Sequence, residues 1–163
     1  MTTDAAPAPA PADDPRFHAL DFWIGTWLAR VPDGRPAGRN EIVPILGGCV
    51  LSENWTGARG YSGKSYSFFD RERDTWRQVW RDDQGDGTDF THGVAGDATV
   101  TFFTGGDAIV AGTRRLTFTR LDADHVRQLS EIAGEDGGWT VEYDLAYERL
   151  TEQEEAAPPP SAA

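Results

Sequence analysis

The stretch DTWRQVWRD, residues 74–82, alternates between two kinds of side chain, as a β-strand does when one of its faces is buried. One face carries Trp76, Gln78, Trp80 and Asp82, and the other carries Arg77, Val79 and Arg81. Burying unpaired guanidinium groups costs free energy, whereas burying an indole gains about 25 cal/mol for each Å² removed from water. The tryptophan face is therefore predicted to point inward, together with its amide and its carboxylate.

Nine further runs of this kind surround the stretch, and Gly- and Asp-rich turns separate them. The ten runs are Phe22–Arg30, Arg39–Leu46, Val50–Thr56, Lys64–Asp70, Thr75–Arg81, Thr88–His92, Thr99–Phe103, Ala108–Arg120, His125–Ile132 and Trp139–Arg149. Their regular spacing predicts an all-β protein. An antiparallel up-and-down β-barrel of eight to ten strands is favoured, because closure removes exposed strand edges.

A short helix is predicted before the first strand. Asp13 or Asp14 would cap it, Pro15 would occupy its first position, and it would run to about Leu20. Outside residues 15–151, which form the predicted barrel domain, the chain is rich in Ala, Pro and acids. Residues 1–14 and 152–163 are therefore predicted to be disordered tails.

Composition excludes several classes of partner. The net charge is −12, and six of the 27 acids lie in the tails, which leaves 21 acids against 15 bases in the barrel domain. Such a surface repels phosphate groups, so neither nucleic acid nor a membrane is an expected partner. The composition does not exclude a homodimer. The chain begins without a secretory signal and has a single cysteine, Cys49, which predicts a cytoplasmic protein without an internal disulfide.

The segment LDFWIGTWLAR, residues 20–30, resembles the start of the calycins, the superfamily of lipocalins and fatty-acid-binding proteins. In those proteins the tryptophan of a Gly-x-Trp motif on the first strand packs across the closed end of the barrel, and Gly25 and Trp27 match that motif. The chain is similar, over roughly residues 17–150, to a bacterial calycin-like family of short single-domain proteins of unknown function. The motifs that carry this resemblance are Gly48–Trp55, Ser65–Asp70, Trp76–Asp82 and Arg127–Glu131.

The resemblance implies a barrel and no particular activity. A haem-binding branch of the calycins continues its Gly-x-Trp motif with a Gly-x-Gly-x-Tyr turn, which GTWLARVPDG lacks. Three scattered histidines offer no metal-binding spacing. No cofactor and no metal are therefore expected.

Strand alternation also assigns the other inward residues. Glu53 and Trp55 are predicted to point inward, and Phe90 and His92 are predicted to share a face. On the ninth run, Val126, Gln128, Ser130 and Ile132 are favoured over Arg127, Leu129 and Glu131 as the inward set. On the last run, Trp139, Val141, Tyr143, Leu145 and Tyr147 form one core face. Packing is the simpler interpretation of Trp23 and Trp27.

Three functions fit these patterns. The first is binding of a small apolar or aromatic molecule with a polar end in the lumen. Its predicted ligand-binding residues are Trp55, Gln78, Trp80, Glu53, Phe90, Gln128 and Tyr143. The second is an enzyme, a cyclase, isomerase or hydrolase of a hydrophobic metabolite, with Glu53 or Asp82 as general base and His92 as acid. The third is a structural or dimerisation module whose lumen is filled. As alternatives to catalysis, Glu53 and Asp82 could pair with an arginine in the lumen or lie in contact with solvent at its rim, and His92 could be a turn residue.

Overall fold

The computed structural model describes residues 6–159, which form one closed antiparallel barrel of ten strands. The strands are β1 (Gly25–Arg30), β2 (Pro36–Ile45), β3 (Val50–Gly57), β4 (Ser62–Asp70), β5 (Thr75–Asp82), β6 (Gly87–Ala95), β7 (Thr99–Thr104), β8 (Arg114–Arg120), β9 (His125–Ala133) and β10 (Trp139–Arg149). Each strand pairs with the next along the chain, and β1 pairs with β10 to close the barrel. The predicted all-β, up-and-down architecture is confirmed.

Two predicted strands begin later than expected. β1 begins at Gly25 rather than Phe22, because Asp21–Trp23 forms a turn of 3-10 helix. β8 begins at Arg114 rather than Ala108, because the segment before it folds into a turn in which Thr113 N donates a hydrogen bond to Val110 O.

The N-terminal helix is a series of short 3-10 turns, Pro11–Asp13, Pro15–His18 and Asp21–Trp23. Asp14 caps the second turn, since its side chain accepts a hydrogen bond from Arg16 N, and Pro15 follows it as predicted. A further 3-10 turn spans Leu46–Gly48, and one α-helical turn spans Glu152–Glu155. Within residues 6–159, no helix combines the length and the apolar character needed to cross a membrane.

The N-terminal turns close one end of the barrel. Leu20, Trp23 and Trp27 are fully buried there, and Trp27 Nε1 donates a hydrogen bond to Trp23 O at 2.8 Å. Phe102 and Phe118 belong to the same cluster and meet edge to face, with ring centroids 6.0 Å apart. This apolar cluster forms the floor of the lumen, and it confirms the packing interpretation of Trp23 and Trp27.

The boundaries of the barrel domain stay predictions. Each predicted tail contains one helical turn, and Arg39 Nη1 donates a hydrogen bond to Glu155 O at 3.0 Å, which ties the C-terminal turn to β2. Residues 1–5 and 160–163, which belong to the predicted tails, lie outside the described residues.

Candidate functional site: the lumen of the barrel

The lumen holds a cavity of about 850 Å³ above the apolar floor. It opens at the end of the barrel where β1, β3 and β5 finish, and this end is called the mouth below. The inward face of β5 is the one predicted, because Gln78, Trp80 and Asp82 line the cavity while Arg81 is exposed. Trp76, on the same face, is buried one step lower in the floor.

Two indole rings line the wall of the cavity, and each lies against a glycine of a neighbouring strand. Trp55 packs over Gly38 of β2, where a Cβ atom would come within 2.6 Å of its ring carbon Cζ2. Trp80 packs over Gly63 of β4, where a Cβ atom would overlap the ring outright. The missing side chains let both rings lie back against the wall, so the space between them stays open.

Replacing Gly63 with alanine is expected to push the Trp80 ring into the lumen and to lower the free energy of unfolding by about 1–3 kcal/mol, the usual effect of overpacking. Chemical denaturation followed by tryptophan fluorescence measures the change. Gly106→Ala is the matched control, since Gly106 lies in the exposed loop after β7 with no atom within 4 Å of the added carbon. Equal stability of the two variants would contradict the packing described.

A layer of polar side chains, called the inner layer, lies between the floor and the indoles. Its members are Asn40, Glu53, Gln78, Gln128 and Tyr147, all of them buried. Asn40 Nδ2 donates to Glu53 Oε1 at 2.7 Å and to the Tyr147 hydroxyl at 3.1 Å. That hydroxyl donates to Gln128 Oε1 at 2.6 Å, so the contacts cross from β3 through β2 and β10 to β9.

Glu53 is the acid of this layer, and its surroundings favour its neutral form. Burial raises the pKa of the carboxyl above its ordinary value of 4.5, and the hydrogen bonds donated by Ser65 and Asn40 offset only part of that effect. Ser65 Oγ lies 2.5 Å from Glu53 Oε2. Burial also raises the pKa of the neighbouring Tyr147 hydroxyl, and the charge of Glu53 acts in the same direction.

The mouth carries a second set of charged groups. Asp82 Oδ1 accepts hydrogen bonds at 3.0 Å from the backbone N of Gln84 and of Asp86, so this carboxylate caps the hairpin between β5 and β6. Glu142 pairs with Arg114 at 3.0 Å. Asp82 therefore lies at the rim, as one of the alternative interpretations had it, and its hydrogen bonds in the described residues go to its own hairpin rather than to Glu53.

His92 lies outside the lumen, so the prediction that it shares a face with Phe90 is wrong. A β-bulge at Thr91 adds one residue to β6 between the two. Phe90 is buried and lines the cavity, whereas the His92 ring stacks on Phe103 on the outer surface, with ring centroids 5.3 Å apart. One extra residue reverses the facing of every residue beyond it.

A second bulge, at Glu142, corrects the predicted face of β10. Tyr143, Leu145 and Tyr147 line the cavity as predicted. Trp139 and Val141 do not: Val141 is 55% exposed, and Arg115 lies over the Trp139 ring at 4.0 Å on the outside of the barrel.

On β9 the favoured inward set holds for its first three members. Val126, Gln128 and Ser130 are buried, while Ile132, the fourth, is only partly so. Arg127 pairs instead with Asp144 on the outer surface, at 2.7 Å.

Among residues 6–159, no group of three or more His, Cys, Asp or Glu side chains is placed to hold a metal ion.

The fold has a counterpart among solved structures. The chain is similar to the crystal structure of Rv2717c from M. tuberculosis, with a TM-score of 0.52 and 13% sequence identity over 85% of this chain and 99% of that one. No family model and no curated protein matches the sequence. At this identity the likeness shows the barrel fold alone, and the resemblance to a calycin-like family stays a resemblance.

Sequence reasoning missed several residues in the cavity or next to it. Asn40 and Ser65 donate hydrogen bonds to the predicted site residue Glu53, and Glu142 lines the cavity. Asn40 and Ser65 stand at inward positions of β2 and β4, so a polar residue at the inward parity of a predicted strand was a usable signal. Glu142 owes its position to the bulge and had no such signal.

Proposed function

We propose that this protein binds a small molecule in the lumen of its barrel, with the apolar or aromatic body of the ligand between the indoles and its polar end at the inner layer. The observation that carries the proposal is the open cavity of about 850 Å³. Ligand cavities commonly measure about 300–1,000 Å³. The barrel's own side chains do not fill this space, which speaks against a purely structural module.

The wall supports an aromatic or apolar body. Trp55, Trp80 and Phe90 line the cavity from three strands of the wall, β3, β5 and β6. A flat ring between these side chains gains binding free energy both from the apolar area that it buries and from the stacking of the rings. Gly38 and Gly63 support the same interpretation, because the indole rings pack against them and so leave the space between the rings open.

The inner layer supports a polar end. Glu53, Gln78, Gln128 and Tyr147 all face the cavity and offer oxygen and nitrogen atoms above an apolar floor. A few convergent polar groups in a mostly apolar pocket fix the orientation of a ligand. The net charge of −12 supports a small molecule over a nucleic acid as the partner.

A second candidate is an enzyme that uses Glu53 as general acid or base. The observation that favours it is the raised pKa of a carboxyl that faces the cavity, a property that suits proton transfer near neutral pH. Native mass spectrometry of protein purified from its own host tests both candidates. One retained molecule supports binding, and a substrate together with its product supports catalysis.

Trp80→Ala is expected to weaken the binding of a neutral aromatic probe, anthracenylmethanol, by about tenfold to a hundredfold, because the variant loses the stacking surface of the indole. The intrinsic fluorescence of the probe measures its dissociation constant. Tyr66→Ala is the matched control, since Tyr66 is an aromatic residue on the outer face of β4 that is 52% exposed. Equal affinities of the two variants would place the probe outside the lumen.

A further inference from the structure

We propose that the polar end of the ligand is a protonated amine that pairs with Glu53 at the inner end of the lumen. The ligand class is then an apolar or aromatic amine. This inference rests on the proposed binding function and adds the chemical class of the ligand to it.

The mouth of the cavity carries arginines together with an equal number of acids, whereas the charged residue at the inner end is Glu53. The three arginines, Arg35, Arg59 and Arg114, all belong to the mouth, on the loops after β1 and β3 and at the start of β8. Arg35 pairs with Asp33 at 2.8 Å, and Arg114 has its own acid in Glu142. Glu53 is the acid of the inner layer, and its carboxylate can pair with a cation that enters the lumen once the proton has left.

A comparison with the other buried acid of the described residues shows what Glu53 lacks. Asp14 is 2% exposed and lies 2.8 Å from the Arg16 guanidinium and 3.8 Å from that of Arg71. Glu53 is 5% exposed, and its hydrogen bonds in the part of the chain described come from a neutral amide and a neutral hydroxyl. Buried carboxylates are normally paired with a cation. An ammonium group of a ligand would supply the missing partner.

The surroundings of Glu53 suit an ammonium group in two further respects. An ammonium group has three donors and no acceptor, so it needs oxygen atoms on several sides. Gln78 and Gln128, which line the same cavity, carry amide oxygens. The rings of Trp55 and Trp80 stand above them, and the faces of indole rings attract cations.

Binding of the ammonium ion releases one proton from the Glu53 carboxyl. Burial raises the pKa of the Glu53 carboxyl in the empty barrel, so below that raised pKa the carboxyl holds a proton. When the ammonium ion enters, the carboxyl releases that proton to solvent and forms an ion pair with the ligand. The groups that face Glu53 are Asn40 from β2, Ser65 from β4, and Tyr147 and Tyr143 from β10. The amide and the serine hydroxyl do not titrate, and the pKa of both tyrosine hydroxyls lies above its ordinary value of 10, so below pH 10 Glu53 is the group that exchanges the proton.

Three probes of one shape test the inference: anthracenylmethylamine, anthracenylmethanol and anthracene carboxylate, each titrated by fluorescence. The amine is expected to bind about tenfold to a hundredfold more tightly than the alcohol, and the carboxylate most weakly. If the alcohol binds and the amine binds no more tightly, the amine inference is overturned and the binding function stands. If none of the three binds, the proposed function itself fails.

Variants of two glutamates test whether the preference for the amine over the alcohol depends on Glu53. Glu53→Gln keeps the shape of the side chain, and it is expected to bring the ratio of amine to alcohol affinity close to unity. Glu41→Gln, on the exposed outer face of β2, makes the same change of net charge and is expected to keep the ratio. A ratio that survives Glu53→Gln would overturn the inference.

The unaltered protein gives a measurement that does not depend on how the variant folds. The ratio of amine to alcohol affinity is expected to rise with pH through the pKa of Glu53 in the empty barrel and then to level off, at pH values where the probe's amine stays protonated. A ratio that does not change with pH would contradict the proton release.

Discussion

Replacing Trp27 with alanine is expected to lower the free energy of unfolding by about 3–5 kcal/mol, the usual cost of removing a large buried aromatic side chain. Trp27 is fully buried at the closed end of the barrel, and its ring meets Tyr147 edge to face at 6.3 Å between centroids. The indole also donates the hydrogen bond to Trp23 O that ties the N-terminal turns to β1. The substitution therefore removes packing and a polar contact together.

Chemical denaturation measures this loss, and thermal denaturation should show a fall in Tm of about 10 °C. Trp139→Ala is the matched control, because the same residue type there lies on the outer face against Arg115. Its expected cost is below about 1 kcal/mol. A large cost at Trp139 would mean that the bulge in β10 is misplaced and that this ring packs in the core, as strand alternation alone predicts.

Glu53→Gln is expected to make the protein more stable at about pH 8, and the gain is expected to shrink as the pH falls towards 4.5, the ordinary pKa of a glutamate. The raised pKa means that the folded protein holds this proton more tightly than the unfolded chain does. The unaltered protein therefore loses stability as the pH rises from that ordinary value through the raised one. Each unit of the difference corresponds to about 1.4 kcal/mol.

The variant avoids this loss because its amide has no charge to bury. It can also keep both contacts, since its oxygen can accept from Asn40 Nδ2 and its nitrogen can donate to Ser65 Oγ. Urea denaturation across the pH range measures the difference, with Glu41→Gln as the exposed control. A variant less stable than the unaltered protein at every pH would show that the ionised carboxylate stabilises the barrel.

Strand alternation was sufficient to predict the parts of the lumen wall that regular strands form. Gln78 and Trp80 face inward because burial of the two indoles on that face lowers the free energy, whereas burial of the guanidinium groups on the opposite face raises it. This difference in free energy decides which side of the strand is buried. The same argument placed Glu53 and Trp55. It failed at His92 and Trp139, because a single extra residue at Thr91 or Glu142 reverses the alternation and neither position carries a turn residue that would mark it.

The sequence by itself determined the order of the strands, their number to within eight to ten and, within each regular strand, which side chains face inward. Both properties are local, since turn residues and an alternation of period two act within about ten residues. Only the tertiary structure decided that the lumen stays open and that Glu53 is buried beside Asn40 and Tyr147 without a cation. Those contacts join β2, β3 and β10, and the pairing of β1 with β10 that closes the barrel brings β10 next to the first strands. Which inward residues meet across a barrel depends on the stagger of its strands, a property of the closed sheet as a whole.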